Sequence, residues 1–309
     1  MSSAAIKENE AREEVMLCAS CGIAGSDDIK LMKCTACYLV KYCSVICQKN
    51  HRPQHKKECK KRAAELRDEL LFKQTESSCY GDCPICMIPL PLDESKSMLA
   101  TCCSKMICKG CNYANKKREY EGRLQEKCAF CRTVVPSSDE EENEQWIKRI
   151  EVNDPFAICE MGIKRRDEGD YEAAIKYLTS AAALGDVRAH YQLSCLYGEG
   201  KGVEKDEKKF LHHLEKAAIG GHPDARHNLA CKEGQSGQYD RAMKHYIIAA
   251  NLGHDKSMGA LKQAYKARFI SKEDFAAALR GHHAAIEATK SPQRKAAAEF
   301  YAECKRRGI

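Results

Sequence analysis

Cysteine placement constrains this chain more than any other feature of it. Of its 20 cysteines, 16 fall in the first 131 residues and 4 in the remaining 178. Those last, Cys159, Cys195, Cys231 and Cys304, stand singly among helix-forming residues and read as small buried hydrophobes. The others come mostly in close pairs. A Cys-x2-Cys loop lets two sulfurs converge on one ion at about 2.3 Å, and in a reducing compartment such pairs are metal ligands far more often than disulfides. Segments this short bury too little apolar surface to fold unaided, so the metal must supply their folding energy.

The remaining composition, 43% apolar and 31% charged over 309 residues, is that of a soluble globular protein with room for two or three domains. No run approaches the roughly 20 apolar residues that span a bilayer. The opening from Met1 to Glu10 lacks the apolar core of a signal peptide. The expectation is an intracellular protein, cytoplasmic or nuclear, with no membrane partner. A formal charge of +7 invites a nucleic-acid reading, but ligand cysteines bind as thiolates. Fifteen thiolates and four divalent zinc ions would cancel that excess, so global charge gives a polyanion no support.

The first ladder reads Cys18-x2-Cys21, Cys34-x2-Cys37, Cys43-x3-Cys47 and His55-x3-Cys59, eight candidates for two tetrahedral sites. His55 and Cys59, four residues apart, share one face of a helical turn. This segment, including Tyr42-Cys43-Ser44 and Cys47-Gln48, resembles the MYND zinc finger along its whole length. The resemblance implies interleaved pairs: Cys18, Cys21, Cys43 and Cys47 on one zinc, Cys34, Cys37, His55 and Cys59 on the other. Spacing alone does not reveal the interleaving. MYND fingers bind short proline-containing peptides with a glutamine and a tryptophan, which here correspond to Gln48 and Arg52; the missing aromatic puts that specificity in question. His51 reads as structural. Nine Lys/Arg against two Asp/Glu between Lys41 and Arg67 admit a nuclear-import signal or a phosphate-contacting patch, but fit better the solvated face of the helix carrying His55 and Cys59.

Beyond a polar helical linker comes a second ladder: Cys83-x2-Cys86, Cys102-Cys103, Cys108-x2-Cys111 and Cys128-x2-Cys131. Cys83-Pro84-Ile85-Cys86 and the closing Cys128-Ala129-Phe130-Cys131-Arg132 resemble a RING-type domain. That implies Cys83, Cys86, Cys108 and Cys111 on one zinc. For the other, the pattern puts a ligand at Lys105, and a protonated lysine cannot coordinate zinc. Two readings stay open: Cys102, Cys103, Cys128 and Cys131 bind a second ion, or the second site is degenerate. Cys79 is a reserve ligand or an ordinary thiol. RING ligases catalyse by positioning a ubiquitin-charged conjugating enzyme. Ile85 matches the residue that contacts that enzyme, and Arg132 the basic residue that bridges enzyme and ubiquitin. Ala129 stands where a proline is usual, and between Asn112 and Lys127 only Tyr113, Tyr120 and Leu124 are available to form an apolar groove.

Residues 154 to 290 repeat. Asp154-Pro155-Phe156-Ala157, Asp186-Val187-Arg188-Ala189, His222-Pro223-Asp224-Ala225 and His254-Asp255-Lys256-Ser257 follow one another at steps of 32, 36 and 32 residues. Each is followed by an apolar residue, Met161, Leu193, Leu229 and Leu261, and reads as two helices whose second ends at a glycine. With Tyr197-Gly198-Glu199-Gly200-Lys201-Gly202-Val203, the array resembles the Sel-like repeat, a relative of the tetratricopeptide repeat, whose stacked helix pairs form a curved, protein-binding solenoid. His212-His213 and His282-His283 read as surface residues, because adjacent helical positions point about 100° apart.

The expected architecture is multidomain: two small zinc-stabilised α+β modules followed by an all-α helical-repeat solenoid. The boundaries are a disordered N-terminus (1–15), MYND-type finger (16–60), helical linker (61–78), RING-like domain (79–135), acidic helical joint with Trp146 (136–153), Sel-like repeats (154–290) and a C-terminal helix or tail (291–309). No methyltransferase cofactor motif is present. The leading function is a zinc-binding adaptor, holding about four zinc ions, whose partners are proteins or peptides. The alternative is a RING-type ubiquitin ligase whose repeats recruit substrate, with a conjugating enzyme as further partner; a nucleic-acid regulator ranks below both.

Overall fold

The computed structural model describes residues 16–308; the disorder expected of residues 1–15 lies outside the described residues. The chain forms two compact units, one ending at Leu71 and the other beginning at Phe72.

In the first unit, strands β1 (Met32–Lys33) and β2 (Lys41–Tyr42) pair antiparallel, Met32 opposite Tyr42, and lead into helix α1 (Val45–Leu71). The buried core is Cys18, Cys34, Cys37 and Tyr42. A core so small and so rich in sulfur cannot support the unit by apolar burial alone. Helix α1 is continuous for 27 residues, so the helical linker is an extension of the finger's own helix. It stops at Leu71, short of residue 78. Serine and threonine compete for backbone hydrogen bonds in Thr75-Glu76-Ser77-Ser78, and the segment is held by other contacts within the second unit. The Phe72 ring packs 4.7 Å from that of His245, with the Arg241 guanidinium 4.6 Å from its centroid. Asn251 Nδ2 donates to Gln74 Oε1 at 3.1 Å, and the Cys79 N–H donates to the Gly221 carbonyl at 3.2 Å.

The second unit opens with the second cysteine module. Strands β3 (Ser97–Ala100) and β4 (Lys105–Cys108) form a hairpin in which Ser97 faces Cys108 and Ala100 faces Lys105, and helix α2 (Lys109–Glu121) follows directly. Leu90, Ala100 and Ile107 join the cysteines in the core. Helix α3 (Asp139–Glu151) is capped by Ser138, with four carboxylates in its first turn and Lys148 and Arg149 in its last, matching both ends of the helix dipole.

Four helix pairs follow: α4 (Pro155–Asp167) with α5 (Tyr171–Ala183), α6 (Val187–Glu199) with α7 (Glu207–Ile219), α8 (Pro223–Gln235) with α9 (Tyr239–Asn251), and α10 (Asp255–Lys266) with α11 (Lys272–Ala288). Each pair packs internally and against its neighbour, the arrangement of a helical-repeat solenoid. The repeated tetrads are N-caps. Asp154, Asp186 and His222 accept backbone N–H groups of their own helices through the side chain, while His254 bonds Ser257 Oγ instead. The small residue three places on is fully buried in every copy: Ala157, Ala189, Ala225 and Ser257. Close approach is also demanded at Gly162, where an added Cβ would stand 2.8 Å from Leu178 Cγ.

The histidine pairs require a correction. His212 and His283 are exposed, but His282 is buried and His213 is half-buried, its ring stacked on Tyr197 and 2.9 Å from His190, Nδ1 to Nδ1. The same 100° step that separates neighbouring side chains turns one of each pair inward. Finally, the C-terminal segment is a full helix, α12 (Pro292–Arg307), packed against α2 of the cysteine module. Tyr113 of α2 lies 4.9 Å from Phe300, ring to ring, and an added Cβ at Gly110 would meet the Arg294 backbone at 2.8 Å.

Candidate metal centres

One turn builds the Cys-x2-Cys loops at Cys18, Cys34, Cys83 and Cys128. In each, the N–H four residues on, from Gly22, Tyr38, Met87 or Arg132, donates to the first cysteine's carbonyl at 2.9–3.0 Å. That fourth residue is left-handed every time, with φ of 72°, 57°, 55° and 64°. A left-handed side chain costs about 1 kcal/mol or more, so three of these turns hold a conformation their residues do not favour and depend on closure at the cysteines. The remaining ligands come from regular elements. Cys43 precedes α1, which carries Cys47, His55 and Cys59; Cys108 ends β4 and caps α2, which carries Cys111; Cys102 and Cys103 form the β3–β4 turn.

The structure gathers the candidates into four quartets: Cys18, Cys21, Cys43 and Cys47; Cys34, Cys37, His55 and Cys59; Cys83, Cys86, Cys108 and Cys111; Cys102, Cys103, Cys128 and Cys131. Within each, all ligand atoms lie within 4.8 Å of one another. A tetrahedral zinc with bonds of about 2.3 Å to sulfur sets its ligands about 3.8 Å apart. The separations are 3.8 Å for Cys34–Cys59, 3.9 Å for Cys86–Cys108 and Cys103–Cys128, and 3.5 Å for Cys21–Cys43 and Cys43–Cys47. Cys102–Cys131 is tighter at 3.2 Å, and Cys37 Sγ lies 3.1 Å from His55 Nε2. Donor chemistry and spacing therefore fit zinc in every quartet.

Electrostatics point the same way. A hydrogen bond from the Cys108 thiol, joined by backbone N–H groups, pulls Cys83 down to about 4. The N–H groups of Cys21 and Cys43 bring Cys18 to about 6. At Cys34 and Cys131 burial is outweighed by hydrogen bonds, and both settle at about 6. Their partners go the other way. Cys43 is pushed up to about 12 by its neighbouring thiols, Cys111 to about 12 by burial, and Cys59 to about 11 by burial and adjacent thiols. One thiolate forms readily and then opposes the next, a conflict that a divalent cation resolves.

Among the open alternatives, Cys102 stands where Lys105 could not serve: Lys105 is exposed on β4, and Cys102 and Cys103 both reach the fourth quartet. Ser104, after them, takes a φ of 53° to turn the chain. Cys79 joins no quartet, and burial raises its thiol to about 12. His51 supports the second quartet from outside. Its Nδ1 is 3.0 Å from the Tyr42 hydroxyl, and its ring stacks on His55 at 5.6 Å.

Comparison with known proteins divides the chain. Residues 18–59 match the family model of the MYND finger, and residues 157–186, 187–222 and 223–254 that of the Sel1 repeat. The chain carries a MYND finger and Sel1 repeats. Two solved structures are similar to it. A Sel1 repeat protein from Oxalobacter formigenes is 26% identical over 58% of this chain and 72% of that one, with a TM-score of 0.43. A protective antigen present in uropathogenic Escherichia coli strains, displaying an SLR fold, is 22% identical over 56% and 37%, with a TM-score of 0.38. No curated protein matches the chain.

On the MYND finger, Gln48 is half-buried on α1 and Arg52, one turn on, is exposed. Tyr38, Leu39, Val45 and Ile46 are also exposed, leaving apolar surface open on the finger. In the second module Ile85 is 41% exposed, but Arg132 is engaged. Its guanidinium donates to Asn115 Oδ1 at 2.7 Å and to Glu119 Oε1 at 3.0 Å. Of the apolar residues on and after α2, Tyr113 is covered by α12, while Tyr120 and Leu124 are exposed. Sequence reasoning missed Glu119, one of several carboxylates in a charged stretch, and Arg294, whose partners Ile88 and Pro89 lie more than 200 residues away. No helix in the described residues is long and apolar enough to cross a membrane.

Proposed function

We propose that this protein is a zinc-dependent adaptor, in which the MYND finger and the Sel1 solenoid engage separate protein partners and about four zinc ions hold the cysteine modules in shape. The observation that carries this reading is closure. Each quartet supplies four protein ligands, and catalytic zinc sites keep one position open for water or substrate. The four residues of each quartet would hold the metal; what zinc would supply there is folding energy and rigid loops. The exposed apolar residues of the finger suit a peptide, and Arg52 in place of an aromatic favours a partner with a carboxylate over one offering a proline ring. An intracellular setting goes with thiolate chemistry.

A RING-type ligase is the second reading, favoured by the exposure of Ile85. Arg132 weighs against it, because its guanidinium is spent inside the module. The adaptor reading is tested by comparing partner sets recovered by proximity labelling from the whole protein, from a Cys37→Ser/Cys59→Ser variant and from a variant carrying charge reversals on exposed repeat residues. Two sets that vanish independently support it. A single set indifferent to both variants sinks it.

A further inference from the structure

We propose that the cleft between the second cysteine module and the last two helices, α11 and α12, binds an acidic peptide segment carrying apolar side chains. It measures about 1010 Å³, at the upper end of ligand-sized sites. Five cations line it, Lys96, Lys109, Lys290, Arg294 and Lys295, and among the described residues no carboxylate does. Between them the wall is apolar, with Pro91, Ile286, Pro292, Ala298 and the Tyr301 ring.

Arg294 is the structural member of this set. It donates to the carbonyls of Ile88 at 3.0 Å, Pro89 at 2.6 Å and Thr289 at 2.7 Å, fixing α12 to the module so that the cleft exists before any ligand arrives. The four lysines remain for binding. The Lys109 ammonium lies 5.1 Å from the Tyr301 centroid, a cation held beside an aromatic face. Lys96, Lys290 and Lys295 have side chains 66%, 63% and 80% exposed, and their contacts to Asp93, Glu287 and Glu299 are surface ion pairs between exposed groups. Such pairs are weak and yield to a ligand carboxylate that also gains apolar contact.

Charge and shape together select the occupant. A free phosphate would leave the apolar wall bare, and a neutral apolar peptide would offer the lysines nothing beyond the surface ion pairs that three of them already make. A chain of Asp and Glu interspersed with Leu satisfies both. The site lies outside the finger and the matched repeats, so its failure would leave the adaptor reading standing, and the converse holds.

The test uses the full zinc-loaded chain and a short fluorescein-labelled peptide of Asp, Glu and Leu, followed by anisotropy. Saturable binding should weaken at least about tenfold in Lys96→Gln/Lys290→Gln/Lys295→Gln, three exposed positions at which an unchanged circular-dichroism spectrum is expected to show the fold intact. It should be unchanged in Lys57→Gln/Lys60→Gln/Lys61→Gln, which discharges the basic face of α1 instead. Replacing Leu by Ser in the peptide should also weaken binding. Equal affinity for the first variant and wild type, loss in the α1 variant instead, or indifference to the leucines would each overturn the proposal. So would tighter binding of single-stranded RNA or of phosphatidylserine vesicles to the same lysines.

Discussion

Arg132 Nη2 donates to Glu119 Oε1 at 3.0 Å, pairing a half-exposed guanidinium with a carboxylate that is 1% exposed. Glu119 Oε2 also accepts the Lys127 N–H at 3.3 Å and Asn115 Nδ2 at 3.0 Å, so this carboxylate ties α2 to the segment that enters the last Cys-x2-Cys loop. The left-handed backbone of the fourth knuckle places Arg132 here. Arg132, which the RING resemblance would assign to contact with enzyme and ubiquitin, here bonds within its own module while nearly half of its side chain stays exposed.

Arg132→Ala is accordingly expected to lower the stability of the second module by about 1–3 kcal/mol, the range for a buried acceptor deprived of a charged donor. Denaturant unfolding measures it. A ubiquitin-discharge assay run beside it should show no rate for Arg132→Ala to lose. Wild-type discharge that collapses in the variant while stability holds would restore the ligase reading.

Zinc content should be about four ions per chain by native mass spectrometry. Cys102→Ser should lose one ion and Lys105→Ala none, since Cys102 lies 3.2 Å from Cys131 and Lys105 belongs to no quartet. A wild-type count of three with Cys102→Ser unchanged would mean that the fourth quartet is empty. Chelation should abolish the fold of the first unit while the solenoid keeps its helical signal, because the solenoid core contains no quartet.

Gly110→Ala should loosen α12. The new methyl would lie 2.8–2.9 Å from the nitrogen, Cα and Cγ of Arg294, and the backbone there cannot yield without shifting the helix. A destabilisation of about 1–3 kcal/mol is expected, as for overpacking. Hydrogen exchange would show it as faster exchange confined to α12 and its contacts on α2. Unchanged protection in α12 would show that the helix is held elsewhere.

The solenoid should weaken in mild acid. Burial lowers His222 to about 4 from an ordinary 6.5, with Asp224 opposing and Arg188 assisting. His213 also falls to about 4, through burial and its neighbours His190 and His212. The unfolded chain then takes up protons first, so stability is complete above about pH 6.5 and falls as pH drops toward 4. For His222 alone the loss between pH 7 and 5 is on the order of 2 kcal/mol. His222→Asn preserves an N-cap acceptor without a titrating ring, so its melting temperature should fall less over that interval. An identical pH slope in the variant would rule out His222 as the sensor.

How much of this was legible in the sequence depends on the range of the interaction. The zinc-ligand ladders are local, because a metal needs its donors at fixed spacing in short loops. The repeat was legible because a polar, a small and an apolar residue recur at fixed offsets within each helix pair. The sequence by itself therefore determined the two cysteine-rich modules, the solenoid and the period of its repeats. Spacing could not settle the fourth quartet, since two adjacent cysteines reach one centre only on a turn whose path the β3–β4 pairing sets. Nor could it show that one histidine of each adjacent pair turns inward, that Arg132 is bound to Glu119, or that α12 leaves the array to close on the cysteine module. Those contacts join residues up to 208 positions apart. They follow no period, and only the packed chain brings Arg294 to the carbonyls of Ile88 and Pro89.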